Sequence, residues 1–392
     1  MAVLKVGVVG IGNIGSVHAE TIYSGKIEGM TLAALCDTDP EKRQWLKEKY
    51  PTVPVFASHT EMLDSGLTDT VIISAPHKFH PPIAEDAFRA GMNVISEKPA
   101  GVDVKTVEKM YAEARKSGKT FGIMFNQRTD PLFNKAREII RDGRLGKPKR
   151  LVWIITNWYR SQAYYDSGSW RATWNGEGGG VLLNQAPHNL DVMQWLFGMP
   201  QSVRAVCNEG KYHNIPVEDD ATLFMEYDGG AVATFITTTG EYPGTNRLEI
   251  SGDRGKIVIE QGVLRFWSLS EPEREYCFNA EGRPLPTLSE EKYESSEVSG
   301  HMLILKNFAA HVLHGEPLIA PGYDGVNELS ISNAAYLSSW TGRKISLPFS
   351  EEDKEQFLSL LNEKRANEKA VEKTVKEEAK SSSYKKRWQV QW

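Results

Sequence analysis

The sequence predicts an α/β protein: a doubly wound parallel sheet, followed by an α+β domain with a large open, mostly antiparallel sheet. Two observations predict this. In the first third of the 392 residues, short apolar runs alternate with amphipathic stretches, which is typical of a parallel sheet covered on both faces. Beyond residue 126, several β-rich runs precede two long helical stretches, and this order favours an α+β arrangement.

The first domain is predicted to span residues 1–126, and each of its elements has its own pattern. Apolar runs predict strands at residues 4–9, 31–35, 71–74, 93–96 and 120–125. Amphipathic spacing predicts helices between them at residues 39–49, 82–90 and 104–116.

The second domain is predicted to span residues 127–350. Apolar alternation predicts strands at residues 150–158, 221–227, 231–238, 246–251 and 256–260, within a β-rich region from 203 to 267. Asp228-Gly229 predicts a hairpin between two of them. Helical spacing predicts helices at residues 131–142, 184–197, 301–314 and 325–341.

The remaining segment, residues 351–392, predicts a charged helical tail. Its apolar residues keep helical spacing but form a thin stripe: Phe357, Leu361, Val371, Val375 and Ala379. The segment ends in KKRWQVQW. Two interpretations stay open, a solvated tail or an arm that docks on a neighbouring subunit through Trp388 and Trp392.

Composition excludes several functions. A net charge of −5 lacks the basic excess of a nucleic-acid-binding surface. The sequence contains no apolar run of about 18 residues, so we expect no membrane span, and no signal peptide is expected at its start. Three scattered cysteines predict neither disulfides nor a metal site and fit a cytoplasmic location. His77 with His80, and His311 with His314, lack the cysteine or carboxylate partners of a zinc site.

Residues 10–15 read GIGNIG, a G-x-G-x-x-G motif between a predicted strand and a predicted helix. Gly10 permits a tight turn, Gly12 allows a pyrophosphate to approach the backbone, and Gly15 lets helix and strand pack closely. The motif therefore predicts a dinucleotide site, with a glycine-rich turn of no such function as the alternative.

Asp37 ends the second predicted strand, where an acid binds the adenosine ribose hydroxyls. Its neighbours Thr38 and Asp39 are not basic, so a 2′-phosphate would meet negative charge. We therefore predict NAD rather than NADP.

Glu97-Lys98-Pro99 follows the apolar run 93–96. Ligands bind at the carboxyl ends of parallel strands, so Lys98 is predicted to point into the crevice above the cofactor. The alternative is a surface ion pair.

A second polar group lies on one predicted helical face. Asn184, His188, Asp191 and Trp195 follow the spacing i, i+4, i+7, i+11, and Pro187 requires the helix to begin near Asn184. We expect a functional His188, with a core histidine as the alternative.

Together these motifs resemble the glucose–fructose oxidoreductase, inositol dehydrogenase and rhizopine-catabolism (Gfo/Idh/MocA) family. The matching features cover roughly residues 1–345: GIGNIG, Asp37, Ala75-Pro76 with His80, EKPAG at 97–101, Trp170-Arg171, GGG at 178–180 and NQAPHNLD at 184–191. The resemblance implies a Rossmann domain, a substrate domain whose open sheet mediates homodimers or larger homo-oligomers, and NAD(P)-dependent oxidation or reduction of a sugar or cyclitol hydroxyl.

The resemblance also implies roles for single residues. Lys98 would hydrogen-bond the reacting oxygen and His188 would be the acid/base, as their chemistry allows. Asn184 replaces the family's frequent Asp and cannot relay a proton, and we expect Asp191 to fix a ring or to bind a sugar hydroxyl. The predicted cofactor contacts are Gly10, Gly12, Asn13, Ile14, Asp37, Ala75, Pro76, His77, His80, Glu97, Lys98, Asn126, Trp170 and Arg171.

Eight of the Trp and Tyr residues crowd positions 153–195, beside the predicted catalytic helix. Aromatic rings bind the C–H faces of sugars, although a core that uses Trp is the alternative. The predicted substrate contacts are Lys98, Asn157, Tyr159, Trp170, Trp174, Asn184, Gln185, His188 and Asp191.

Taken together, the residues and the resemblance favour an NAD-dependent oxidoreductase that transfers hydride between nicotinamide and a secondary hydroxyl of a sugar or glycoside. The resemblance favours the C3 hydroxyl of a glucoside, because some members of the family oxidise that position. Three alternatives stay open: an inositol or cyclitol dehydrogenase, an NAD-retaining glycosidase that oxidises C3 transiently, and a nonenzymatic sensor.

Overall fold

The computed structural model describes residues 2–282, 285–297 and 299–368. Predictions that concern Val371, Val375, Ala379, Trp388 and Trp392 lie outside these residues. Within the described ranges, no helix combines the length and the apolar composition that crossing a membrane requires.

The first sheet has six strands: β1 (Leu4–Val9), β2 (Met30–Cys36), β3 (Val55–Phe56), β4 (Thr70–Ile73), β5 (Asn93–Ser96) and β6 (Phe121–Ile123). All neighbours are parallel, in the order β3-β2-β1-β4-β5-β6. The strand order reverses between β1 and β4, which places a ligand crevice at their carboxyl ends. This confirms the doubly wound parallel sheet; only the two-residue β3 was not predicted.

Five helices accompany this sheet: α1 (Asn13–Tyr23), α2 (Pro40–Lys49), α3 (His59–Asp64), α4 (His80–Arg89) and α5 (Val104–Ser117). Local chemistry sets where they begin. The Asp39 carboxylate accepts the backbone N–H groups of Glu41 and Lys42, and Pro40 takes the first helical position of α2. The residues in the middle of β4 and β5 are fully buried, as expected for strands covered on both faces.

The second sheet has nine strands in the order β14-β13-β12-β11-β7-β10-β9-β8-β15. They are β7 (Pro148–Ile155), β8 (Ser202–Glu209), β9 (Glu218–Glu226), β10 (Val232–Thr238), β11 (Asn246–Gly252), β12 (Gly255–Glu260), β13 (Val263–Leu269), β14 (Leu288–Glu294) and β15 (Ile345–Ser346). Only β7 and β10 pair in parallel among them, so the predicted mostly antiparallel sheet is confirmed.

The helices of this half are α6 (Pro131–Arg141), α7 (Gln162–Asp166), α8 (Val181–Asn184), α9 (Pro187–Phe197), α10 (Glu273–Asn279), α11 (His301–His314), α12 (Gly325–Thr341) and α13 (Glu351–Asn367). Among the predicted helices of this half, the largest difference is at the start of α9. The helix expected over 184–197 begins at Pro187, and Asn184 ends the separate α8. Proline has no N–H to donate and takes the first helical position, which separates the two helices.

The C-terminal part of the chain closes the first sheet. The Ile123 N–H donates to the Ala320 carbonyl (3.1 Å), which covers the edge strand β6. The Asn333 side chain on α12 accepts from the Val104 N–H (3.1 Å) and donates to the Val102 carbonyl (3.2 Å) at the start of α5. Residues 320–333 therefore join the two halves beside the crevice.

Candidate active site

The glycine motif forms a tight turn between β1 and α1. Gly10 has φ +85°, and a Cβ built on it would lie 2.7 Å from the Ala75 nitrogen. A Cβ on Gly15 would lie 2.0 Å from the Gly10 carbonyl oxygen. Both contacts exclude any larger residue, as the motif predicts.

The same turn fits a dinucleotide. A Cβ built on Gly12 would meet no atom within 4 Å, so the first turn of α1 presents its backbone N–H groups to an open approach. Two buried oxygens beside the crevice, Ser74 Oγ after β4 and Asn126 Oδ1 after β6, have no hydrogen-bond partner among the described residues. The open space and the free N–H groups suit the phosphates of such a cofactor, and the unused acceptors suit its amide.

Asp37 lies at the end of β2, but its surroundings are not uniformly negative. Its Oδ2 accepts the Ile11 N–H (2.8 Å) and the Lys42 ammonium (3.1 Å). Arg43 donates to the carbonyls of Asp37 (3.0 Å) and Thr38 (2.7 Å). α2 thus brings two cations to Asp37 and Thr38 that residues 37–39 alone did not reveal.

His77 and His80 hold loops together. His80 lies between the carbonyls of Ala75 (2.6 Å) and Pro99 (2.8 Å), so both ring nitrogens face backbone oxygens. His77 Nδ1 lies 3.1 Å from the Glu177 carbonyl oxygen, and its ring contacts Trp170 edge-on. Burial lowers the pKa of both imidazoles. These contacts position the loops that carry Pro76 and Lys98.

Glu97 is a buried carboxylate bonded to a histidine that sequence reasoning missed. Its Oε1 lies 2.7 Å from His18 Nε2. Burial alone would raise the pKa of Glu97, yet the hydrogen bond from His18 lowers it to about 2. A second missed histidine, His301 at the start of α11, contacts His18 edge-on at 5.8 Å between ring centroids. In the sequence, the one sign of these contacts was that His18, a polar residue, lies on the otherwise apolar face of α1.

Lys98 and His188 are brought together from separate halves of the chain. The Lys98 ammonium donates to the Asn184 carbonyl (2.7 Å), three residues before Pro187 begins the helix of His188. Burial lowers the pKa of Lys98. Burial, and then the charge of Lys98, lowers the pKa of His188 well below 6.5. Lys98 is therefore no surface ion pair, and His188 is a neutral imidazole near neutral pH.

The Asn184 side chain is held by Glu177, which sequence reasoning also missed. Asn184 Nδ2 donates to Glu177 Oε1, and the other Glu177 oxygen accepts the Ala172 N–H (2.6 Å). Burial raises the pKa of Glu177, and the charge of Arg171, 3.9 Å away, offsets only part of this rise. The predicted neighbours Arg171 and Asn184 thus share one buried carboxyl group.

Asp191 takes part in a buried ion pair. Arg128 donates to both of its oxygens (2.8 and 2.6 Å) and to Asp324 (2.6 Å). His188 Nδ1 is buried and has no partner within the described ranges, so Asp191 does not fix that ring in this structure. Its contact with a sugar hydroxyl stays a prediction.

The aromatic residues predicted beside the catalytic helix, at positions 153–195, differ in burial. Trp153 and Trp174 are core residues, with 0% and 2% of their surface exposed. Trp170 is half-buried beside His77, and the Arg171 guanidinium lies 4.8 Å from its ring centroid. The core alternative therefore holds for Trp153 and Trp174, whereas Trp170 contacts His77 and Arg171 at the surface of the site.

Three further predicted substrate contacts, Asn157, Tyr159 and Gln185, differ in burial. Asn157 and Tyr159 are exposed, and the Tyr159 ring contacts Tyr242. Gln185 is buried and its side chain reaches the Tyr164 hydroxyl (3.4 Å). No contact described here joins the first two to Lys98, and their roles stay predictions.

Two buried carboxyl groups lie behind the site. Glu218 accepts the N–H groups of Gly180 and Leu182 (both 2.9 Å) and the Tyr336 hydroxyl (2.7 Å), which fixes the glycine run before α8; burial raises its pKa to about 7. Glu328 on α12 is fully buried, and neither of its oxygens has a partner among the residues described. Burial, and then the charge of Asp191, raises the pKa of Glu328 well above 4.5.

Comparison with known proteins identifies two matching family models. The model described as an oxidoreductase family with an NAD-binding Rossmann fold matches residues 4–125. The model described as the GFO/IDH/MocA C-terminal domain matches residues 133–258.

Individual relatives cover most of the chain at low identity. Myo-inositol 2-dehydrogenase of Thermotoga maritima is 25% identical, over 88% of this chain and 98% of its own length. D-glucoside 3-dehydrogenase of Escherichia coli is 26% identical, over 88% of this chain and 97% of its own. A solved structure, the WlbA dehydrogenase of Bordetella pertussis with NADH and UDP-GlcNAcA, is 25% identical with a TM-score of 0.76, over 89% of this chain and 100% of that one.

Proposed function

This chain belongs to the GFO/IDH/MocA family of NAD-dependent oxidoreductases, and from that premise we propose that it transfers hydride between nicotinamide and a secondary hydroxyl of a sugar or glycoside. The hydrogen bond from Lys98 to the Asn184 carbonyl carries the proposal. It joins the lysine of the cofactor half to the helix of His188 in the other half.

The chemistry follows from the charges of these two side chains. Bound NAD supplies the hydride acceptor. The ammonium of Lys98 donates a hydrogen bond to the hydroxyl oxygen and stabilises its developing negative charge. His188, kept neutral by burial, accepts the hydroxyl proton as the carbinol becomes a carbonyl.

The chain's own groups also define how the cofactor would be held. The first N–H groups of α1 would bind the pyrophosphate, and Gly12 leaves room for it. Asp37 would bind the adenosine ribose in exchange for its contact with Lys42. Asn126 Oδ1 and Ser74 Oγ, buried groups at strand ends of this half, have no partner among the described residues and could bind the cofactor.

We favour a glucoside, oxidised at C3, as the substrate. Arg171 contacts both the half-buried Trp170 and the Tyr164 hydroxyl, and Trp170 also contacts His77. Such a polar and aromatic surface suits a sugar with an aglycone. The similarity to D-glucoside 3-dehydrogenase supports this choice, and the comparable similarity to inositol dehydrogenases makes a cyclitol the second candidate. A homo-oligomer formed through the open face of the second sheet remains part of the proposal.

The substrate is tested with a panel of free sugars, inositols and glucosides, assayed for NADH formation. We expect the highest turnover with a glucoside and a 3-keto product by NMR. Turnover of inositols alone would reject the glucoside, and release of aglycone without net NADH would favour the NAD-retaining glycosidase.

The catalytic roles are tested with His188→Ala and Lys98→Ala. Each is expected to lower kcat/KM by at least about 100-fold, since general acid–base catalysis and oxyanion stabilisation each contribute that much. NADH affinity should change little. His314→Ala, at the exposed end of α11, is the matched control, and near-normal turnover in either active-site variant would reject the assignment.

A further inference from the structure

The last turn of α13 binds a loop that reaches the active site. This loop, residues 160–180, is called the aromatic loop below. The Glu368 carboxylate accepts the backbone N–H groups of Trp174 (3.0 Å) and Asn175 (3.1 Å), and also the Asn175 side-chain amide (2.7 Å). One side chain at the end of a helix therefore binds three donors of two consecutive loop residues.

Arg365, one turn earlier, completes the contact. Its Nε donates to the Trp174 carbonyl (3.2 Å), and its own carbonyl accepts from Asn175 Nδ2 (3.0 Å). Both peptide groups of this turn are thus bound by protein rather than by water. A loop with its backbone satisfied in this way loses much of its freedom to open.

The helix that provides these groups is itself firmly packed. Phe357 stacks on Trp340 (5.6 Å between centroids, 19° between planes), and Trp340 meets the buried ring of Trp174. Leu361, one turn further along α13, is fully buried. The end of α13 is therefore a fixed point against which the loop is held.

The held turn leads directly to the site. Glu177, two residues beyond Asn175, binds the Asn184 side chain, and its carbonyl contacts His77. On the other side of the turn, Lys78 donates to the Asn175 carbonyl (2.8 Å). The turn thus lies between α13 and the loop that follows β4, two residues from Glu177, which contacts Asn184 and His77.

We propose that Glu368 and Arg365 are positioning residues for the sugar: they anchor the aromatic loop from outside the active site and so set the affinity for substrate. This rests on the proposed function, in which the loop forms part of the sugar surface. Neither residue touches the reacting groups. Their loss should therefore raise the KM for the sugar while leaving the hydride-transfer step, and hence kcat, largely intact.

The anchor is tested by hydrogen–deuterium exchange on the full-length protein. In Glu368→Ala, the peptide covering residues 170–178 should exchange at least tenfold faster than in the wild type, whereas Glu363→Ala, an exposed residue of the same helix, should leave it unchanged. Glu368→Gln, which keeps one acceptor oxygen, should lie between them. This measurement needs no substrate, so it decides on the anchor even if the wild type oxidises no sugar in the panel.

The effect on substrate is tested by steady-state kinetics on the sugar that the wild type oxidises. Glu368→Ala and Arg365→Ala should raise KM about five- to tenfold and change kcat less than twofold, with the control within twofold in both. A parallel fall in kcat and melting temperature would show a merely structural role. Unchanged exchange, or faster exchange with an unchanged KM, would also overturn the proposal.

Discussion

The two ends of the cleft are built by different means. At the end where we propose that the cofactor binds, called the cofactor end below, the backbone forms the surface: Gly10, Gly12 and Gly15 shape a turn that two of them allow because they lack side chains, and Gly12 leaves open space. At the end where we propose that the sugar binds, called the sugar end below, charged side chains are buried: Arg128 is bound to Asp191, and the Lys98 ammonium is bonded to the Asn184 carbonyl. The sugar end therefore buries charges that are tolerable only while each keeps its partner, whereas the turn at the cofactor end buries no such charge.

The largest expected effect tests the stability of the sugar end. Arg128→Met leaves the Asp191 carboxylate buried without its partner, and such a loss costs about 3–5 kcal/mol of unfolding free energy. Denaturant unfolding measures it. Arg141→Met, at a largely exposed position on α6, should change stability by less than about 0.5 kcal/mol.

The double variant Arg128→Met with Asp191→Asn sharpens this test. Removing the stranded charge should recover part of the lost stability. If the double variant is as unstable as Arg128→Met alone, the cost comes from lost packing and not from the unpaired carboxylate.

The next effect separates binding from folding at the cofactor end. Gly12→Ala places a methyl group where no protein atom lies within 4 Å, so the melting temperature should stay within about 2 °C while NADH affinity falls roughly 100-fold. Gly15→Ala places its methyl group 2.0 Å from the Gly10 carbonyl oxygen, so both stability and affinity should fall. Thermal melts and fluorescence titration with NADH measure the pair, and equal stability losses would contradict the distinction.

The smallest effect, taken per pH unit, concerns Glu328, a buried acid that has no partner among the described residues. Its folded-state pKa is raised above 4.5, so the folded chain keeps a proton that the unfolded chain releases as the pH rises. Stability should therefore fall above pH 4.5, by up to about 1.4 kcal/mol per pH unit until the folded-state pKa is reached. Glu328→Gln removes this slope, so its gain over the wild type should grow from pH 5 to pH 8.

Unfolding at several pH values measures the Glu328 effect. Glu363→Gln should follow the wild type at each pH, because that residue is exposed on α13. A constant difference between Glu328→Gln and the wild type across the range would show that Glu328 titrates no differently in the folded chain.

The same contrast explains what could be predicted. The cofactor end depends on neighbours in sequence, so GIGNIG and the alternation of strands predicted its fold and turn. The sugar end depends on distant residues: Lys98 meets Asn184 86 positions away, and Asp191 meets Arg128 63 positions away. Within the first half, Glu97 likewise meets His18 79 positions away. No periodicity carries that information, which is why His18, Glu177, His301 and Glu328 were missed. The same limit applies over a short distance in sequence at Asp37. A prediction from residues 37–39 alone could not include Lys42, whose ammonium donates to the Asp37 carboxylate.

The hydrogen bond from β6 to Ala320, which pairs the edge of the first sheet, has a consequence for synthesis of the protein. β6 ends the first sheet, and its exposed side is bonded to Ala320, roughly 200 residues later in the chain. At about 5–20 residues per second, a ribosome needs about 10–40 s to make that stretch. For this time the nascent first domain presents an uncovered strand edge, the kind of surface through which chains pair with one another. Chaperone binding to the emerging chain should therefore persist until the segment that includes Ala320 has left the ribosome.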